Sequence, residues 1–183
     1  MMLVIHRRWA QRLAGLTTVS LMLGPAPRLA AQSAAASPPT PCVGDANRHR
    51  FDFWIGEWEV RTPAGRLDGH SSVQPIAGGC GLLENWSDVH GGSGKSLNSY
   101  NPALGHWEQF WIGQGGAVTE YRDGEWRGDT LVFHAAATVG GRPNQIRLSF
   151  SPLPDGAVRQ FSELSADSGR TWRVGYEYIY RKR

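Results

Sequence analysis

From residue 51 to its end, this chain is cut into short pieces by turn residues at a nearly even interval. Pro63-Ala-Gly65, Ala77-Gly-Gly79, His90-Gly-Gly-Ser-Gly94, Asn101-Pro102 to Gly105, Gly115-Gly116, Asp123-Gly124, Gly140-Gly141, Pro154-Asp-Gly156 and Asp167-Ser-Gly169 mark the breaks. Glycine tolerates positive backbone φ, proline presets φ, and Asp or Ser ties a turn with its own side chain. A break about every 10–12 residues leaves room for strands, and this is the rhythm of an all-β sandwich or barrel. No segment after residue 50 repeats its apolar residues with a helical period. The expectation is all-β: roughly nine or ten strands in a single antiparallel up-and-down barrel.

The densest aromatic stretch, Phe51-Asp-Phe-Trp-Ile-Gly-Glu-Trp-Glu-Val60, opens that series. From Gly56 it alternates, with Gly56, Trp58 and Val60 on one side and Glu57, Glu59 and Arg61 on the other. This is the period-2 pattern of a strand with one wet face. Phe51, Phe53 and Trp54 are too crowded for alternation and suit a short helical turn that plugs a barrel end.

Not all of the 183 residues belong to the barrel. Residues 1–31 read as a secretory signal peptide: Arg7, Arg8 and Arg12 are followed by an apolar run from Leu13 to Leu23, and Ala30-Ala31 offers a cleavage point. The run is shorter than the roughly 20 apolar residues a bilayer span needs, and Pro25 and Pro27 break it as a core helix. His6-Arg-Arg-Trp-Ala-Gln11 fits a twin-arginine signal poorly, and no Cys at the cleavage point suggests a lipid anchor. Residues 32–45, rich in Ala, Ser and Pro, read as a linker, which leaves 46–183 as the barrel domain. The expected location is periplasmic or secreted.

The signal also accounts for the basic pI. Arg7, Arg8, Arg12 and Arg28 lie in it with no acid, which leaves 15 basic residues against 16 acidic ones in the rest. A nucleic-acid partner needs a basic face, and Arg181-Lys-Arg183 is too short to supply one. Cys42 and Cys80 both follow the signal, and an oxidising compartment favours their pairing over two free thiols. A zinc site lacks the second ligand pair such sites use.

Gly56-x-Trp58 at the start of the first strand resembles the Gly-x-Trp signature of lipocalins and the wider calycin superfamily. In that family the Trp closes one barrel end and a basic residue near the last strand packs across its ring. The resemblance implies that role for Arg181, which follows the last strand, Trp172 to Tyr180, by a cation–π contact. Most of the chain after the signal also resembles a bacterial exported family of unknown function. The matching residues are Phe51-Asp-Phe-Trp-Ile-Gly-Glu-Trp58, Gly79-Cys80, Glu84-x-Trp86, Gly94-Lys-Ser-Leu-Asn98-x-Tyr100, Trp107-x-Gln109-x-Trp111 and Val158-Arg-Gln160. That resemblance implies a lipocalin-like barrel and no established activity. Ser165-x-Asp167-x-Gly169-x-Thr171-Trp172 matches the Asp-box hairpin of sialidases and other propellers, a structural device in which the Asp ties the turn over the Trp. A propeller repeats it; this chain has one copy.

Candidate binding residues fall in the middle. Glu84 and Trp86 share one strand face, Ser96, Asn98 and Tyr100 the next, and Trp107, Gln109 and Trp111 the one after. Polar atoms beside large rings are what a small-molecule site requires. The other parity would put Leu83, Leu97, Phe110 and Ile112 inside, but burying three Trp rings gains more. Glu163 joins the candidates as a possible acid–base partner for Glu84 if both point inward. No metal spacing, nucleophile elbow or phosphate loop is present, and no cofactor is expected. Haem-binding calycin barrels use a His near the chain end, whereas no His follows His134. The leading function is binding of a small, partly apolar molecule. The alternatives are an isomerase, cyclase or hydrolase using inward carboxylates, and a ligand-free structural or interaction module.

Overall fold

A computed structural model describes residues 42–183. The proposed signal and residues 32–41 of the linker lie outside the described residues. Ten strands follow one another: β1 Gly56–Arg61, β2 Leu67–Ile76, β3 Gly81–Asp88, β4 Ser93–Asn101, β5 His106–Gly113, β6 Val118–Arg127, β7 Thr130–Val139, β8 Arg142–Pro152, β9 Val158–Ser165 and β10 Arg173–Lys182. Each pairs antiparallel with the next, and β10 returns to β1, so the sheet closes into an up-and-down barrel. The strands are joined by short turns, many of them carried by glycines with positive φ. Among the described residues the only helical pieces are α1 Ala46–His49 and two single 3₁₀ turns, Asp52–Trp54 and Ala77–Gly79.

The crowded aromatics before β1 fill one end of the barrel, as their spacing predicts. Phe51 and Trp54 are fully buried. Their rings stack at 5.1 Å, and Phe51 meets Trp107 at 5.4 Å and Phe150 at 5.0 Å. Trp58 Nε1 donates to the Trp54 carbonyl at 2.9 Å, which ties the plug to the first strand. Leu131, Phe133, Leu148, Val158 and Tyr180 complete this packed half. The turns at 62–66, 89–92, 114–117, 140–141 and 166–172 rim the opposite, open end.

The segment read as a linker is anchored at Cys42, which is buried and bonded to Cys80 with Cα atoms 5.1 Å apart. Arg48 reinforces the attachment, its Nη1 donating to the Tyr100 carbonyl at 3.0 Å. The Asp-box hairpin also forms: Asp167 accepts from Thr171 N at 2.9 Å and Thr171 Oγ1 at 2.7 Å, and Trp172 Nε1 donates to the Gly169 carbonyl at 3.0 Å. Those bonds hold the Asp167 carboxyl down to about 2.

The basic partner of Trp58 is not the expected one. At the closing seam Trp58 lies opposite Lys182, whose Nζ is 5.4 Å from the indole centroid, while Arg181 lies opposite Glu59. Side chains alternate along a strand, so a one-residue offset sends Arg181 to the outer face. There its guanidinium pairs with Asp155 at 2.7 Å. Lys182 is the residue over the ring.

Candidate functional site

The inward face of the central strands is the one with the rings and polar groups. Glu84, Ser96, Asn98, Trp107 and Gln109 are buried, whereas Leu97, Phe110 and Ile112 are exposed on the outside. Between the packed half and the open end lies a cavity of about 260 Å³, lined by Glu84, Trp86, Gln109, Trp111, Thr119, Tyr121, Gln160, Tyr176, Tyr178 and Tyr180. Larger surface depressions exist outside the barrel; this one is interior and joins aromatic walls to a polar floor, and we take it as the candidate site.

Two glycines set its walls. An added Cβ at Gly69 would stand 2.6 Å from Trp86 Cη2, and one at Gly94 would overlap the Trp111 ring outright. Each indole therefore lies flat on a neighbouring strand where only glycine leaves room, one face closed by backbone. Across from Trp86, Tyr178 stacks at 5.8 Å with 27° between planes, and Tyr176 stacks on Tyr178 at 5.0 Å.

The floor is a hydrogen-bonded network centred on Glu84. Its Oε1 accepts from Ser71 Oγ at 2.8 Å and Tyr180 Oη at 3.2 Å, and its Oε2 accepts from Ser96 Oγ at 3.0 Å. Asn98 Nδ2 donates to Ser96 Oγ at 3.0 Å, and Gln109 Nε2 to Asn98 Oδ1 at 2.6 Å. The Tyr180 hydroxyl also lies 3.1 Å from Gln160 Oε1. With a single proton it serves either acceptor at one time.

Burial pushes the Glu84 carboxyl up, because a charge there loses its water; the three hydroxyl bonds oppose the shift without cancelling it. Burial likewise raises Tyr121, to about 12, and holds Tyr176 and Tyr180 well above the usual phenol value. Glu84 is thus the carboxyl inside the barrel, held above the usual carboxylate range by burial. A raised folded-state value means the folded protein keeps this proton where the unfolded chain has lost it. Its stabilising contribution is whole below the unfolded value of about 4.3 and declines as pH rises through the folded value. Glu84→Gln has no such proton, so its stability relative to wild type is expected to improve from about pH 5 to about pH 8. Urea unfolding at both pH values reads the difference, and a constant gap would mean that Glu84 titrates alike in both states.

The remaining candidates separate by position. Glu84, Trp86, Gln109 and Trp111 line the cavity, and Ser96 and Asn98 support its floor. Tyr100 and Trp107 pack toward the plug, their rings 6.3 Å apart. Glu163 is corrected: it points outward from β9 and pairs with Arg147 at 2.7 Å. Its neighbours Ser162 and Leu164 take the inward parity, so it does not meet Glu84, and the two-carboxylate arrangement is not formed. Sequence reasoning missed Ser71, Thr119, Tyr121 and Gln160. It noted the Tyr176-Tyr178-Tyr180 alternation but not its place in the cavity. Among the described residues no three His, Cys, Asp or Glu side chains converge on a metal position.

No protein-family model matches the chain, and no curated protein matches it in sequence. The chemistry of the cavity therefore carries the functional argument. What it offers is a ring-lined space above one carboxyl and two amides. Gln109 spends its Nε2 on Asn98 and Gln160 its Oε1 on Tyr180. The opposite end of each amide is left at the cavity, one an acceptor and one a donor.

Proposed function

We propose that this barrel binds a small, partly apolar molecule in the cavity at its open end. The observation that carries the reading is the pair of half-used amides, Gln109 and Gln160, set beside Glu84 beneath Trp86, Trp111 and the tyrosines. Apolar walls drive a ligand in, and a few fixed polar atoms orient it. A floor designed only to fill space would be cheaper as aliphatic side chains, since every buried polar group must find a partner.

A lipocalin-like placement in the calycin superfamily agrees with this function. It is supported by the ten-strand up-and-down closure and by Gly56-x-Trp58 with Lys182 across the ring. Export to the periplasm or beyond is supported by the signal pattern of residues 1–31 and by the Cys42–Cys80 bridge. Native mass spectrometry of protein taken from its own host tests the binding function. A small-molecule adduct is expected on the wild type and not on Thr119→Trp, which fills the cavity from β6. An adduct retained by Thr119→Trp would place the ligand elsewhere and end the proposal.

A further inference from the structure

The cavity has a charge character that narrows its ligand. No Lys, Arg or His lines it, and Glu84 is its one acidic side chain. Six aromatic side chains, Trp86, Trp111, Tyr121, Tyr176, Tyr178 and Tyr180, line the same cavity. A carboxylate offers about four lone-pair positions. Ser71 and Ser96 occupy two of them, and Tyr180, whose one proton Gln160 also attracts, occupies at most a third. At least one is left for a donor arriving from the cavity.

We infer that the site takes a protonated organic amine, its cationic head among the rings of Trp86, Trp111, Tyr176 and Tyr178 with Glu84 as counter-charge. This deepens the binding function above and rests on it. Aromatic faces carry the negative end of a quadrupole and attract a cation, most strongly where water is excluded. An anionic ligand would enter with no basic partner beside a carboxyl, the costly arrangement for a buried charge. A cation instead converts the carboxyl into a stabilised partner: nearby positive charge favours the ionised form. Binding then releases the Glu84 proton to solvent whenever the empty site holds it. The groups facing Glu84 are Ser71 on β2, Ser96 on β4, Gln109 on β5, Tyr121 on β6, Gln160 on β9, and Tyr176 and Tyr180 on β10. The tyrosines stay neutral through this range because burial raises them. The accompanying pH dependence thus belongs to Glu84.

Three probes of one shape and different charge test the inference on the full chain: phenethylamine, 2-phenylethanol and phenylacetate, followed by calorimetry and by quenching of Trp fluorescence. The amine is expected to bind about ten-fold or more tighter than the alcohol, with phenylacetate weakest. Its affinity should rise from about pH 5 to about pH 8 while that of the alcohol stays flat. Glu84→Gln should bring amine and alcohol within about three-fold of each other. Trp111→Leu, which leaves the network intact, should weaken the amine more than the alcohol. Alcohol binding equal to amine binding, or an amine affinity unmoved by both variants, overturns the amine assignment and leaves the cavity as a site for neutral molecules. Absence of binding by all three probes, together with absence of any adduct on host-derived protein, overturns both.

Discussion

Trp58→Ala is expected to lower the unfolding free energy by about 3–5 kcal/mol, the range for truncating a fully buried large aromatic. Trp58 has no exposed surface, lies 6.2 Å from the Tyr180 ring and donates to the Trp54 carbonyl. Its strand also makes the closing seam, where four residue pairs set the register between β1 and β10. The cavity left by Ala would therefore open at the join of the barrel, beside a plug that has lost its only described tie to that indole. Trp58→Phe keeps most of the ring and forfeits the hydrogen bond, at about 1–2 kcal/mol. Denaturant unfolding measures both. A double-mutant cycle with Lys182→Ala should give a coupling of about 0.5–1 kcal/mol, as for an exposed cation–π pair. The cycle with Arg181→Ala should give none. The reverse outcome would mean that the seam is shifted by one residue.

That one-residue offset shows how far the sequence can be read. The barrel and its strand count follow from the spacing of turns, because each turn depends on local chemistry at a few residues. The plug follows from the crowding of Phe51, Phe53 and Trp54. The cation above Trp58 does not follow, since Arg181, Lys182 and Arg183 are three consecutive cations, any of which could face the ring. Only the pairing of β1 with β10 distinguishes them. Register is a property of two strands distant in the chain, and a single residue of slip reverses every side chain.

The same limit shaped the site. Glu84, Trp86, Gln109 and Trp111 were legible because β3 and β5 alternate without interruption and their large rings choose the inner face. Glu163 misled because Gln160, Ser162 and Glu163 are all polar, so β9 carries no apolar alternation that fixes its parity. Thr119 and Tyr121 were hidden by the irregularity of β6, whose register shifts between Arg122 and Glu125, with Asp123 at a positive φ of 52°. Gly94 reads as part of a turn cluster, and Gly69 carries no signal at all. Their part as seats for Trp86 and Trp111 depends on which residue lies across the strand, which no local pattern records.

The second large effect concerns the Cys42–Cys80 bridge. Its loss, by reduction or in the paired variant Cys42→Ala with Cys80→Ala, is expected to cost about 4 kcal/mol. That figure is the chain-entropy value for the 38-residue separation it spans. The mechanism acts on the unfolded chain, so the barrel should keep its fold while its denaturation midpoint falls. The segment released first is Cys42 to Arg50, which otherwise holds on through Arg48 and through Arg50, whose guanidinium lies 4.1 Å from the Trp126 ring centroid. Phe51 and Trp54 should stay in place, because their own burial retains them. Urea unfolding with and without reductant measures the cost, and alkylation with mass analysis confirms the thiol state. The slope against denaturant should rise slightly as well, since an uncrosslinked chain exposes more surface when it unfolds. An unchanged midpoint after complete reduction would mean that the unfolded chain is already compact around these two residues, and the bridge would then contribute little beyond position.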